Sequence, residues 1–175
     1  MADKSVFAGR HLSKTSEWYT PRDYVEAARI VLGGIDLDPA SCNRANQTVR
    51  ATRFFTENDN GLIQPWTGRV FVNPPGGKNP DGQSNVVLFW RKFVTEPIDA
   101  GIWIGFSLEQ LQTLQSDVGY PHPIDFPVCL PARRIAFDSA TSEKKQPSHA
   151  NYITYIGSDV SLFCAVFSRL GVVRA

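Results

Sequence analysis

The sequence predicts an α/β domain with a mostly parallel central sheet. Short apolar, β-branched segments alternate with amphipathic helical segments, the pattern that crossover units require. Two of the apolar segments end abruptly in proline-bearing turns, Asp38-Pro39-Ala40-Ser41 and Asn73-Pro74-Pro75-Gly76. In a parallel α/β sheet, ligands bind at such carboxyl ends of strands. The 175 residues suit one domain and leave little room for a second.

Residues 1–16 are polar and mixed, and read as a flexible segment ahead of a single domain over 17–175. Thr20 suits a helix cap, Pro21 the first helical position and Asp23 the first turn. Tyr24, Ala27, Ala28, Val31 and Leu32 then share one helical face, and Gly33-Gly34 stops the helix. Ile35 to Pro39 is a short strand alternating apolar and acidic residues, and 42–52 a short helix. Arg69 to Val72 is a strand broken by Asn73-Pro74-Pro75. Residues 76–85 form a loop rich in glycine, proline and asparagine. Ser84 or Asn85 caps the next helix, whose apolar stripe is Val86, Phe89, Trp90, Phe93 and Val94.

Gly101 to Phe106 is a buried strand, and Leu108 to Gln115 a helix. Phe126–Leu130, Ile135–Phe137 and Asn151–Ile156 read as strands, with a polar loop over 138–149. Leu162, Phe163, Val166, Phe167 and Leu170 repeat at helical spacing, with Gly171 as the stop. The strand-rich stretch 126–156 suits closure of the sheet by antiparallel pairs.

Composition excludes several function classes. Hydrophobic residues make up 42% and charged residues 20%, a globular rather than a disordered balance. Lys plus Arg is 18 and Asp plus Glu 17, so bulk charge cannot supply affinity as it does in polybasic binders. A local basic patch is compatible with that total. Cys42, Cys129 and Cys164 form no CxxC pair, which argues against a zinc site and against a disulfide framework. Met1 to Phe7 has no apolar signal region, and no apolar run reaches the roughly 20 residues of a membrane helix. The expectation is a soluble cytoplasmic protein with no metal and no membrane contact.

Two prolines after a strand fix two φ angles and hold Asn73 extended. Its side-chain amide and the following carbonyl then face the same way. Such a rigid pair of oxygen acceptors suits an exocyclic NH2 donor. A bare Asn-Pro-Pro is also an ordinary strand-ending turn. Asp36 reads as a solvent-facing strand residue, and Asp38, Glu57 and Asp59 singly as turn or capping residues. Trp66 and Trp90 read as core anchors, His149 as a surface histidine, and Trp18 either way.

The motifs occur in a fixed order. Glu17-Trp18-Tyr19-Thr20-Pro21 precedes Ile35-Asp36-Leu37-Asp38-Pro39-Ala40-Ser41. Phe54-Phe55-Thr56-Glu57-Asn58-Asp59-Asn60-Gly61-Leu62, Trp66 and Val70-Phe71-Val72-Asn73-Pro74-Pro75 follow. This set resembles the phage-type DNA N6-adenine methyltransferases over residues 17–76. A weaker likeness continues through Trp90, Arg134-Ile135-Ala136-Phe137 and the strand at 151–157. The resemblance implies a Rossmann-like class I methyltransferase, a three-layer sandwich, with S-adenosylmethionine as cofactor. It implies DNA as partner, with the target base flipped out, in the cytoplasm of a bacterial host.

By the same resemblance, Tyr19, Thr20 and Pro21 look like the first cofactor-binding segment. Asp38, Pro39, Ala40 and Ser41 look like the cofactor turn, with Asp38 facing the ammonium group. Glu57 and Asp59 look like carboxylates for the ribose or adenine. Asn73, Pro74 and Pro75 look like the catalytic motif. Apart from the resemblance, Gly76, Gly77, Lys78, Arg134 and His149 are the expected substrate contacts, from their places in the loops around the mouth.

The family's motif commonly ends in an aromatic residue that stacks on the flipped base, whereas this chain continues Gly76-Gly77-Lys78. Lys78, Arg91, Lys92, Arg133, Arg134, Lys144 and Lys145 are the basic residues expected near the mouth, for phosphate contacts or as plain solvated charge. Loops 76–85 and 138–149 are the expected specificity elements, and a monomer or a homodimer would serve. The alternatives are cytosine N4 methylation and a catalytically impaired cofactor- or DNA-binding descendant.

Overall fold

The computed structural model describes residues 18–139 and 149–175. The expected flexible segment 1–16, and Lys144 and Lys145 within 140–148, lie outside the described residues.

The chain runs β1 (Trp18–Tyr19), α1 (Arg22–Leu32), β2 (Leu37–Asp38), α2 (Asn43–Val49), β3 (Arg53–Phe54) and β4 (Gly68–Val72). Then come α3 (Asn85–Thr95), β5 (Ile98–Gly105), α4 (Glu109–Gln115), a 3-10 turn (Pro123–Asp125) and β6 (Val128–Pro131). β7 (Asp138–Ser139), β8 (Tyr152–Ile156), α5 (Val160–Phe167) and β9 (Gly171–Arg174) complete it. Seven strands form one sheet in the order β3-β2-β4-β5-β8-β6-β9, and β1 pairs with β7 in a separate ribbon.

The protein is therefore α/β, but its sheet is mixed rather than mostly parallel. The pairings β2–β3, β2–β4 and β4–β5 are parallel, and β5–β8, β8–β6 and β6–β9 antiparallel. Parallel neighbours need a crossover, usually a helix. The described part of the connection from β6 to β8 holds no helix, and β8 returns antiparallel between β5 and β6. This matches the antiparallel closure that the 126–156 stretch suggested. Tracing the pairings gives β6 the direction of β2 to β5, with β8 and β9 reversed.

Alternation along the strands splits the core between the two faces of the sheet. Phe71, Ile102 and Ile104 pack with Ala28, Val31 and Leu32 of α1 and Phe163 and Phe167 of α5. Val70, Val72 and Trp103 pack with Phe89, Trp90 and Phe93 of α3 and Leu114 of α4. Trp66 and Trp90 are core anchors, each essentially without solvent exposure. Their indole N–H groups donate to the carbonyls of Gly61 and Pro121, both at 2.8 Å.

Three local expectations are corrected. Thr20 does not cap α1: Pro21 occupies the cap position, and its carbonyl accepts from the N–H groups of Tyr24 and Val25. Ile135 to Phe137 is not a strand, because the Ile135 N–H turns to the Asn151 side-chain oxygen at 2.8 Å. Gly171 opens β9 instead of ending α5, since a Cβ there would lie 2.0 Å from the carbonyl oxygen of Leu130.

Asp36 is more than a solvent-facing strand residue. Its carboxylate accepts from Arg69 Nε at 2.8 Å, Arg69 Nη2 at 2.7 Å and the Arg69 backbone N–H at 2.9 Å. This fork bolts the approach of β2 to β4 and holds the carboxyl down at about 2.

Candidate functional site

The first four neighbouring strands of the sheet point one way, so their carboxyl ends share one rim. β2 ends at Asp38, β4 runs into Asn73, and β5 runs into Phe106. Leu37 pairs with Val70 and Val72 with Trp103, so the two proline-bearing turns stand on adjacent strands.

The turn after β2 is tightly built. Phe55 N–H donates to the Asp38 carbonyl at 3.0 Å, and Ser41 N–H donates to the Phe55 carbonyl at 2.8 Å. Asp38 Oδ1 accepts from Ala40 N–H at 3.2 Å. Gly61 closes over Pro39, where a Cβ would lie 2.0 Å from the Pro39 carbonyl oxygen. Asp38 is buried, and burial pushes its carboxyl up to about 7 against the opposing pull of the Ser41 hydroxyl and Ala40 N–H. The Ser41 hydroxyl stands near enough to oppose the rise but has no partner at hydrogen-bonding distance.

The segment before α1 docks beside this turn. Cys42 Sγ lies 3.9 Å from the Tyr19 hydroxyl, and the Arg44 guanidinium sits 5.1 Å from the Tyr19 ring centroid. Thr20 is buried, and its hydroxyl also lacks a partner among the described residues. Nearly all buried polar groups in native proteins are hydrogen-bonded. Two orphaned hydroxyls, one on Ser41 in the turn that holds the buried Asp38 carboxyl and one on Thr20 in the segment docked against that turn, suit a polar ligand carrying hydrogen-bond donors and a cation. The residues present therefore fit the expected cofactor.

Glu57 and Asp59 lie on the loop after β3, and both are exposed. The Asp59 carboxylate is engaged locally, accepting from Thr56 N–H at 2.8 Å and Thr56 Oγ1 at 2.7 Å, which holds it below the usual range. That is a turn cap and leaves Glu57 as the less committed carboxylate of the two.

At the end of β4, Asn73 is half-buried, Pro74 buried and Pro75 exposed. Asn73 Nδ2 donates to the Trp18 carbonyl at 2.8 Å. That bond orients the amide and leaves Oδ1 as an acceptor to which no described residue donates. Gly76, Gly77 and Lys78 are exposed, and Asn85 ties their loop through the carbonyls of Gly76 at 2.9 Å and Gly77 at 3.1 Å.

His149 lies on this rim, its ring 4.9 Å from that of Phe106. Arg134 is exposed beside Ile135, which Asn151 holds. The ribbon register, Trp18 with Ser139 and Tyr19 with Asp138, sets the base of the 138–149 loop against the same rim. Arg91 and Lys92 are each engaged by a carboxylate of the protein itself. Arg91 forks onto Asp117 at 2.8 and 2.6 Å, and Lys92 pairs with Glu96.

Sequence reasoning missed Asn151 and Gln110. Asn151 Nδ2 donates to the Phe106 carbonyl at 2.5 Å, and Gln110 Oε1 accepts from Phe106 N–H at 3.0 Å. Neither residue stands in a recognisable motif.

No protein-family model, curated protein or solved structure matches the chain. Among the described residues, no helix is long and apolar enough to cross a membrane.

Proposed function

We propose that this protein is an S-adenosylmethionine-dependent DNA methyltransferase acting on adenine N6, built on a Rossmann-like class I core. The observation that carries the reading is the Asn73 amide, oriented by Trp18 and followed by two prolines, one strand over from the Asp38–Ser41 turn. Helices on both faces of the sheet support the architecture.

The cofactor, when bound, supplies an electrophilic methyl group on a positively charged sulfur. The Thr20 and Ser41 hydroxyls and the Asp38 carboxylate would hold it, with Glu57 offered to its ribose. The adenine amino group is a poor nucleophile because its lone pair is delocalised into the ring. Asn73 Oδ1 and the Pro74 carbonyl accept its two protons in hydrogen bonds and localise that lone pair. So oriented, that nitrogen would attack the methyl group that the bound cofactor would supply on its sulfur, and one amino proton would pass to solvent. The protein acts by orienting the groups and by placing acceptors where positive charge develops. Flipping the base from a duplex costs a few kcal/mol.

Tritiated-methyl transfer to unmethylated plasmid DNA, followed by nucleoside analysis, tests this. Methyladenine is the expected product. Methylcytosine would move the target to cytosine N4, and no incorporation at high enzyme concentration would sink the enzyme reading. Asn73→Ala is expected to abolish transfer with cofactor affinity nearly unchanged.

A further inference from the structure

A base whose amino group reaches Asn73 Oδ1 brings a flat aromatic ring to this rim, and the turn beyond Pro75 offers that ring no partner. Gly76 and Gly77 carry no side chain, and a Cβ added at either would meet nothing within 4 Å. The rings that do stand beside Asn73 come from other elements. Trp18, whose carbonyl fixes the Asn73 amide, is half-buried, and its ring centroid lies 6.4 Å from that of Phe106. Phe106 is also half-buried and stands 4.9 Å from the exposed His149 ring, tilted by 43°. Continuing the Val72–Trp103 register sets Phe106 level with Pro75. The other tryptophans, Trp66, Trp90 and Trp103, are sealed in the core.

Phe106 is also braced. Gln110 takes its N–H and Asn151 its carbonyl, so a residue just past a strand end is held on both sides of its Cα. Such bracing makes a ring rigid enough to act as a preorganised surface.

From this geometry we infer that Phe106, flanked by Trp18 and His149, is the stacking platform for the target adenine, substituting for a ring in the 75–78 turn. The inference rests on the methyltransferase reading for its ligand but not for its measurement. Ring-on-base stacking is tolerant of sequence, so the platform binds adenine in single strands as well as in duplexes.

The test uses the full chain saturated with S-adenosylhomocysteine, titrated with a single-stranded 12-mer of deoxyadenosine. Tryptophan fluorescence is the signal, since Trp18 alone among the described tryptophans is open to a quencher. Phe106→Leu keeps apolar volume and removes the π-face. It is expected to weaken oligonucleotide binding about 10-fold, with S-adenosylhomocysteine affinity and melting temperature unchanged. Phe106→Tyr should bind within about 3-fold of the parent. Gly76→Tyr placed in the Phe106→Leu protein should restore binding, because that site is open and its φ is not left-handed.

Unaltered binding by Phe106→Leu, or no binding by the parent, overturns the platform. Equal loss of oligonucleotide and cofactor binding with a lowered melting temperature overturns it too. If methyl transfer to DNA is absent while Phe106→Leu still weakens oligonucleotide binding, the platform stands and the reaction falls. If Phe106→Leu transfers methyl groups to DNA at the parent's rate, the reaction stands and the platform falls.

Discussion

The side-chain amide of Asn73 donates to the backbone carbonyl of Trp18 at 2.8 Å, across 55 residues of sequence. A backbone carbonyl offers only an acceptor, so the amide nitrogen must face it and the amide oxygen must turn away. The bond therefore decides which end of Asn73 meets a ligand.

Asn73→Asp exploits that asymmetry. A carboxylate cannot donate to Trp18 and sets two oxygens against each other. Loss of stability of about 1–3 kcal/mol is expected in urea unfolding at pH 7. The loss should shrink in acid, where the new carboxyl is protonated and donates again.

Thr20→Val and Ser41→Ala remove hydroxyls that are buried without partners. The ligand-free Thr20→Val protein should melt no lower than the parent, because no hydrogen bond among the described residues is lost. Affinity for S-adenosylhomocysteine should fall by about 1 kcal/mol for each, read by calorimetry.

Asp38 sets the pH dependence of the cofactor turn. Its folded carboxyl is raised from an ordinary 3.8 to about 7, so the fold favours the protonated form. Burial of the ionised form thus costs stability progressively as pH rises from about 4 to 7, and Asp38→Asn should raise the melting temperature at pH 8. A cationic ligand group needs the ionised form. Cofactor affinity should therefore rise about 20-fold from about pH 5.5 to 7.5 in the parent and stay flat in Asp38→Asn.

Asp36 behaves in the opposite sense. Arg69 lowers its carboxyl from 3.8 to about 2, so the stabilisation is complete above about 4 and is lost as pH falls toward 2. Both side chains are about a third exposed, 35% and 37%, and solvent screening limits the contribution to about 1 kcal/mol. Acid unfolding of Asp36→Asn should show a flatter limb between about pH 4 and 2 than the parent.

Gly61→Ala and Gly76→Ala form a matched pair. The first drives a Cβ to 2.0 Å from the Pro39 carbonyl oxygen, and the second meets nothing within 4 Å. Gly61→Ala should cost about 1–3 kcal/mol and loosen cofactor binding. Gly76→Ala should change stability by less than about 0.5 kcal/mol in the same denaturation assay.

Local chemistry is legible in the sequence, and distant pairing is not. The stop at Gly33, with its φ of 70°, follows from residues within one turn of it. The stripe Val86, Phe89, Trp90 and Phe93 is buried as its spacing requires. Strand direction after residue 126 depends on which neighbour each strand finds, and the apolar pattern alone does not encode that. The Asp36–Arg69 fork spans 33 residues, and neither end names the other. Arg91 and Lys92 read in the sequence as basic groups near the mouth, for phosphate or for solvent, whereas the fold sets Asp117 and Glu96 beside them. For the site, the order of the motifs identifies which turns meet on the rim. The bracing of Phe106 by Asn151, 45 residues away, has no local trace.

The β1–β7 ribbon gives one short stretch of chain several tasks. Trp18 orients Asn73 through its carbonyl, Thr20 buries a hydroxyl to which no described residue bonds, and the backbone of Trp18 and Tyr19 pairs with Ser139 and Asp138 of β7. A ligand that stiffens Thr20 therefore also stiffens Trp18 and, through its carbonyl, the Asn73 amide. Linkage is reciprocal, so a second ligand bound at Asn73 must tighten the first by the same factor. Two ligands at this rim would in this sense be two weights on one lever, and the lever is three residues long.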